Sequence, residues 1–385
     1  MKNRIGLAIV TYTINYGTFL QAFATQTAIR KLGYETEIIN IDSVIKDVSK
    51  ARKRYFISQM FNIAELKSYR HTISAIIARK TVRAYREYME SREKKFCSFG
   101  NQFFEIGEKF NSWMELSEYC NNFSSIVVGS DQLWRPANIA GNFYTLNFVP
   151  SEINKVSYAT SFGLKEIRDN QKEVTAKFLS RIQYLSCREE SGAEIIEKLT
   201  GRPAKVVCDP TLLLTKNDWE RYVPAEPIVA GDYILMYLLS DSKAHRQYVK
   251  ELAEKTSCRV VGILHGAGFI CGDEKNVDEA PADIGPFDFL NLVKYAKYVC
   301  TDSFHGCVFS TIFQKNLYVF KRFSDKDKMS TNSRVTNLLS RFGLSDRLVE
   351  KYDHIFVEDI DYANVNDKVD EFRKDSIDFL KKALE

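Results

Sequence analysis

Ile5-Gly6-Leu7-Ala8-Ile9-Val10-Thr11 is a short run of apolar and β-branched residues, and together with the thirty residues after it this run decides the fold. A polar turn, Asn15-Tyr16-Gly17-Thr18, comes next. The apolar spacing then predicts a helix over 20–32, closed by Gly33 just past its C-cap. A second strand is expected over 34–41. Strand, crossover helix and strand form a βαβ unit, which builds a parallel sheet.

The same grammar extends outward. Ser125-Ile126-Val127-Val128-Gly129 is the continuous apolar run of a strand buried on both faces. Further strands are expected over 155–160 and 205–208, with helices over 169–185 and 188–199. Pro210, Pro224 and Pro227 then fall close together among Asn, Asp and Gly, which marks a domain boundary. Beyond it the alternation restarts, with strands over 233–239, 259–264, 298–301 and 317–320. Helices are expected between them, and a final one over 364–384. The expected fold class is α/β, with two Rossmann-type parallel-sheet domains at 1–222 and 223–385. A basic helical insert occupies about 45–110 in the first.

Composition sets the outer limits. The chain has 385 residues, 45% hydrophobic and 27% charged, which excludes a disordered or collagen-like polymer. Eight Cys lie at 97, 120, 187, 208, 258, 271, 300 and 307, with no CxxC spacing and no His at finger spacing. They read as reduced thiols, most of them in the core, and the expected compartment is a reducing cytoplasm. No apolar run reaches the roughly 18 residues of a membrane span. The segment from Met1 to Val10 is too short in its apolar part for a signal peptide and reads as a buried strand. A net charge of +4 argues against a nucleic-acid partner. The charge is uneven, however. Residues 46–95 hold 14 Lys/Arg against 5 Asp/Glu, so the other 335 residues sum to −5. Ile73, Ile76 and Ile77 share one helical face there, and Phe56, Met60 and Phe61 interleave with the cations. The insert is either a solvated helical surface or one that meets anionic headgroups.

The chemistry is expected at polar clusters on the carboxyl ends of the strands, where open α/β sheets bind ligands. Gly17 permits close approach of backbone to an anion at a helix N-terminus, unless the turn is a plain one capped by Thr18. Asp131, in Gly129-Ser130-Asp131-Gln132-Leu133-Trp134-Arg135, could act as a base or hold a sugar hydroxyl, with Trp134 stacked on the ring; the plain alternative pairs it with Arg135. Ser161-Phe162-Gly163 is a similar small-residue turn. Arg188 could clamp a phosphate or carboxylate in two places, or pair with Glu189 or Glu190. Asp209, before Pro210, reads first as a turn former. Thr301-Asp302-Ser303-Phe304-His305-Gly306 places a His at a strand end, suited to general acid catalysis or to an anionic ligand. Lys243 offers a cation at another helix start. No Walker loop, GxSxG elbow or HExxH motif is present.

Taken in order, Asn15-Tyr16-Gly17-Thr18-Phe19-Leu20-Gln21-Ala22, Gly129-Ser130-Asp131-Gln132-Leu133-Trp134, Tyr158-Ala159-Thr160-Ser161-Phe162-Gly163, Arg188-Glu189-Glu190-Ser191, Asp209-Pro210-Thr211-Leu212-Leu213 and Thr301-Asp302-Ser303-Phe304-His305-Gly306 resemble the polysaccharide pyruvyl transferase family. The resemblance covers most of the chain. It implies a GT-B-like pair of domains, with the acceptor on the first and the donor on the second. It implies transfer of pyruvate from phosphoenolpyruvate to two hydroxyls of a sugar or lipid-linked glycan, giving a cyclic ketal in a bacterial surface polysaccharide, with no metal or cofactor. His305 matches the family's donor-side His and is the expected general acid. Asp302 is expected to orient it and Asp131 to take the acceptor proton. Arg188, Ser303, Phe304, Gly306 and Lys243 join the donor site. Asn15, Tyr16, Gly17, Thr18, Ser130, Gln132, Trp134, Arg135 and Ser161 are expected on the acceptor side. Many relatives carry Arg two residues before the His, where this chain has Ser303; Lys243, Arg135 and Arg334 are the candidate replacements. The basic insert suits an acceptor at the inner membrane face. Two other readings share the architecture: a GT-B glycosyltransferase using a nucleotide sugar, and a non-catalytic glycan-binding assembly subunit.

Overall fold

A computed structural model describes residues 3–58, 73–324, 330–352 and 358–385. Strands β1 (Arg4–Ala8), β2 (Glu35–Ile38), β3 (Ser125–Val128) and β4 (Asn154–Ser157) form a parallel sheet in the order β2-β1-β3-β4. β5 (Ser186–Cys187) and β6 (Lys205–Val206) pair in parallel, and single bridges from Val156 to Tyr184 and from Thr160 to Cys187 tie them to that sheet. A second parallel sheet holds β7 (Tyr233–Tyr237), β8 (Arg259–Gly262), β9 (Tyr298–Thr301) and β10 (Asn316–Val319), ordered β10-β9-β7-β8. The fold class is therefore α/β, with two Rossmann-like parallel-sheet domains. Both faces of each sheet are covered, which is why Ile126-Val127-Val128 and Ile234-Leu235 carry no polar alternation and are wholly buried.

The helices that position the site are α1 (Tyr16–Lys31), α2 (Ile45–Ser58), α3 (Arg83–Phe103), α4 (Glu190–Thr200), α5 (Lys243–Thr256), α6 (Pro286–Tyr295), α7 (Phe304–Ile312), α8 (Asn332–Phe342) and α9 (Tyr362–Leu384). α1 starts a turn earlier than the apolar spacing suggests. Asn15 is extended and its Oδ1 accepts the Thr18 N–H at 3.1 Å, so Asn15 is the cap and Thr18 lies inside the helix. β1 is likewise shorter than its apolar run. Its neighbours end opposite Leu7 and Ala8, so Ile9 and Val10 are buried but have no strand left to pair with.

The two halves share one apolar core. The Tyr16 ring stacks on Phe289 at 4.9 Å and its hydroxyl donates to the Ile284 carbonyl at 3.2 Å. Phe99 of α3 meets Phe287 at 4.8 Å. α9 also reaches back to the first half: Ser376 Oγ accepts the Cys208 N–H at 2.8 Å, and the Ala383 carbonyl accepts from the Asn154 side chain at 2.8 Å.

The basic insert divides in the structure. α3 runs into the junction rather than lying on the surface. Arg92 is 3% exposed, sits 4.6 Å over the Tyr88 ring and 5.5 Å from the Tyr16 ring, and donates to the Leu264 carbonyl at 3.0 Å. Lys95 pairs with Asp283 at 3.2 Å. Part of the positive excess thus joins the halves. Residues 73–81 are helical, and Ile73, Ile76 and Ile77 are each more than half exposed. Met60 and Phe61 lie outside the described residues.

Candidate active site at the domain junction

Asp209, 1% exposed, is the hub. Pro210 holds it extended, so Oδ1 accepts the Thr211 N–H at 3.1 Å and the Thr211 hydroxyl at 2.7 Å. Oδ2 accepts from Arg188 Nη1 at 2.8 Å and from Ser130 Oγ at 2.8 Å, and lies 3.6 Å from His305 Nε2. Ser130 follows β3, Arg188 follows β5, Asp209 follows β6, and His305 is in the first turn of α7 after β9. Strand carboxyl ends from both domains therefore converge on one carboxylate. α1 closes the arrangement. A Cβ at Gly17 would stand 2.0 Å from His305 Nδ1, so only glycine lets the imidazole lie on that backbone.

The Arg188 side chain is 2% exposed and is surrounded by carboxylates, with Glu189 at 3.7 Å and Asp131 at 4.0 Å besides Asp209. Its guanidinium lies 4.4 Å over the Phe304 ring. Asp131 has a left-handed backbone, φ 77°; its Oδ2 accepts from the Thr18 hydroxyl at 2.8 Å and its Oδ1 from the Gln132 N–H at 2.8 Å. Burial by itself would raise both aspartate pKa values. For Asp131 the Arg188 and His305 charges, and for Asp209 those of His305 and Arg188, hold the carboxyl below its ordinary value. Burial works against the Arg188 charge, but Asp209, Glu189 and Asp131 outweigh it and keep the guanidinium protonated. The site thus holds two ionised carboxylates, a fixed guanidinium and an imidazole within reach of one another.

Several expected roles change. Trp134 is 0% exposed; its indole N–H donates to the Tyr144 carbonyl at 3.0 Å and its ring packs on Phe162 and Phe178, so it cannot stack on a sugar. Tyr16 is core between the halves and does not face the cleft. Ser161 is fully buried, with its hydroxyl donating to Glu189 and accepting from the Gly163 N–H. Asp302 does not orient His305: its two oxygens accept the Leu239 N–H at 2.6 Å and the Ser240 N–H at 2.9 Å. The carboxylate beside His305 is that of Asp209, whose turn-forming and site-building roles coincide.

Other candidates keep places near the centre. Ser303 caps α7 through the Gly306 N–H, and Gly306 is tight against Thr301 Oγ1. Gln132 lies at the Gly163 backbone. Arg135 is exposed, and its charge acts on Arg334. Lys243 is exposed at the start of α5 and lines neither of the cavities that meet at Phe304. Glu189 and Arg334, which flank Arg188, carried only weak signals in the sequence: a helix-start charge and one Arg among several. Among the described residues no group of His, Cys, Asp and Glu is arranged to hold a metal ion.

A buried Arg–Asp–His cluster thus stands where the two parallel-sheet domains of this α/β protein meet. The chain belongs to the polysaccharide pyruvyl transferase family, an enzyme family whose sequence model matches residues 15–322. The family implies a sugar or glycan acceptor. No curated protein matches the chain. Among solved structures, a UDP-GlcNAc 2-epimerase from Methanocaldococcus jannaschii is 11% identical, with 95% of this chain and 92% of that chain covered and a TM-score of 0.47. The glycosyltransferase SnogD from Streptomyces nogalater is 12% identical, with 97% and 94% covered and a TM-score of 0.40. The GT-B-like character of this chain rests on its own two parallel sheets.

Proposed function

We propose that the protein transfers the pyruvyl group of phosphoenolpyruvate to two hydroxyls of a sugar, forming a cyclic ketal and releasing inorganic phosphate. The Arg188–Asp209–His305 cluster carries this reading. The donor's methylene carbon takes a proton, which leaves a cationic centre bearing the phosphate oxygen. One sugar hydroxyl adds to that centre and loses its proton. Phosphate then leaves, the second hydroxyl adds and passes its proton to the departing phosphate, so a sugar diol and the donor become ketal and inorganic phosphate. His305 is the general acid, a role worth about 10²–10⁴-fold. Asp209 stands where it would stabilise the imidazolium before the proton is given up. Asp131, kept ionised, is the base for the acceptor proton. Arg188 meets the developing phosphate charge.

His305→Gln and Arg188→Lys are expected to cut phosphate release by at least a hundredfold with the folded state retained. Turnover within a few fold of wild type would remove that residue from the reaction. Phosphoenolpyruvate should raise Tm, by the equivalent of about 2.7 kcal/mol at a hundred times its Kd. A panel of nucleotide sugars should not. A shift with a nucleotide sugar alone would transfer the site to glycosyl transfer, and donor binding without turnover on any acceptor would favour an assembly subunit.

The working place we propose is cytoplasmic, peripheral to the inner membrane face. The exposed Ile73, Ile76 and Ile77 lie close in sequence to Lys80, Arg83 and Arg86, which suits an anionic bilayer. No helix among the described residues is long and apolar enough to cross a membrane. Replacing the three isoleucines by Ser should abolish salt-sensitive binding to anionic vesicles; unchanged binding would return this face to solvent.

A further inference from the structure

Arg334, in the first turn of α8, belongs to the second domain, yet it lines the same cavity as Arg188, Glu189, Asp209 and Phe304. Its place is held from the first domain. Asn337 and Arg341 of the same helix both bind Glu190, the former at 3.0 Å. Arg334 Nη2 donates to Thr331 Oγ1 at 3.0 Å, but its Nε is closed off from solvent and makes no hydrogen bond. The same is true of Arg188 Nε and Nη2. Three guanidinium N–H groups around one cavity therefore lack a hydrogen bond, with Arg188 Nε and Nη2 no nearer than 3.7 Å and 4.0 Å to the Glu189 and Asp131 carboxylates, where the ordinary rule is that buried donors are satisfied. Burial, and then the charge of Arg188, lower the Arg334 pKa to about 10. Arg188, Arg334 and Arg135 are offset nearby by Asp131, Asp209 and Glu189, so donor geometry rather than net charge favours an anion here.

We propose that Arg334 and Arg188 form a two-domain clamp for a single tetrahedral oxyanion, a phosphate monoester in the donor, with one guanidinium from each half. This deepens the pyruvyl-transfer reading and rests on it only for the identity of the donor. Planar guanidinium forks match phosphate oxygens two at a time, which a lysine cannot reproduce. An anion between the two also removes their mutual repulsion. Donor binding then tightens the junction, and departing phosphate loosens it.

The test uses inorganic phosphate as the probe, at matched ionic strength in chloride, by titration calorimetry and thermal melting of the full chain. Phosphate should bind and raise Tm in the wild type. Arg334→Gln should weaken phosphate binding by tenfold to a hundredfold, on the order expected for charge-assisted hydrogen bonds, and lose the phosphate-dependent rise in Tm. Its Tm without phosphate should be no lower than wild type, because a repulsion has been removed. Arg334→Lys, with the charge kept and the fork lost, should fall between. Phosphate affinity within twofold of wild type in Arg334→Gln overturns the clamp. So does a lower Tm in chloride with an undiminished phosphate-dependent rise, which marks a merely structural arginine. A wild type indifferent to phosphate overturns it as well. If phosphate binding depends on Arg334 but the wild type never releases phosphate from phosphoenolpyruvate, the clamp stands and the pyruvyl-transfer reading falls.

Discussion

Two buried aspartates end strands in opposite halves of the molecule, and they are used in opposite ways. Asp302, 4% exposed, accepts two backbone N–H groups from the loop after β7 and holds that loop in place. Asp209 spends one oxygen on its own turn through Thr211 and turns the other to Arg188, Ser130 and His305. The first carboxylate is saturated by neutral main-chain donors of its own domain. The second is shared with a charged side chain and an imidazole that reaches it from the other domain. The two carboxylates thus differ in what holds them: main-chain donors of one domain for Asp302, and side chains from both halves for Asp209.

The largest effect should fall on the junction aspartate. Asp209→Ala leaves the Arg188 charge buried with its best partner gone, which should cost about 3–5 kcal/mol of stability and essentially all turnover. Loss of only a few tenths of a kcal/mol in denaturant melts would show that Glu189 and Asp131 compensate, and would weaken the contrast with Asp302. Gly17→Ala tests the same junction from the other side. Its Cβ would collide with the imidazole, so His305 must move. A misplacement of about 1 Å should lower phosphate release on the order of a hundredfold, with a smaller loss of Tm than in Asp209→Ala.

Asp302→Ala should do the reverse. Stability falls by about 1.5–3 kcal/mol as charge-assisted bonds are lost, while kcat of the folded fraction stays near wild type. A kcat collapse at unchanged stability would instead move Asp302 into the reaction. Acid should report on the junction carboxylates too. The folded pKa values of Asp131 and Asp209 are depressed, so their stabilisation is complete above the unfolded carboxylate value of about 3.9 and is lost as pH falls through the folded values. The acid limb of Asp209→Asn should therefore be shallower than that of wild type. Identical limbs would assign acid unfolding to other carboxylates. The smallest effect is expected at Ser303→Ala, which removes the α7 cap at a cost of about 1 kcal/mol.

Much of the architecture was legible along the chain. Local patterning governs a parallel strand and its crossover helix, so the βαβ start and the second run of alternation are legible without contacts. The helix start at Asn15 is not legible in the sequence, because a cap is decided by backbone dihedrals and Thr18 offers the same side-chain chemistry. The site was half legible. Arg188 and His305 stand out as polar residues at strand ends, where packing does not require them. Asp209 reads first as a turn former, since Pro210 explains it fully by local means. Trp134 and Tyr16 are aromatics near polar residues, but a sequence does not say which side of a sheet an aromatic faces once the strand has ended.

What the sequence determined by itself is therefore the set of local objects: two parallel-sheet domains, their capped helices, a basic insert, and the polar residues at strand ends. Hydrogen bonding and burial within about ten residues are enough to specify these. Which of those ends meet is settled by the packing of the two halves. Gly17 lies beneath His305, Asp209 rather than Asp302 stands beside the imidazole, and Arg334 comes to Arg188 from the other domain. Those pairings depend on an apolar junction assembled from Tyr16, Phe99, Phe287 and Phe289. The burial that forms it is non-directional, so no local motif announces it.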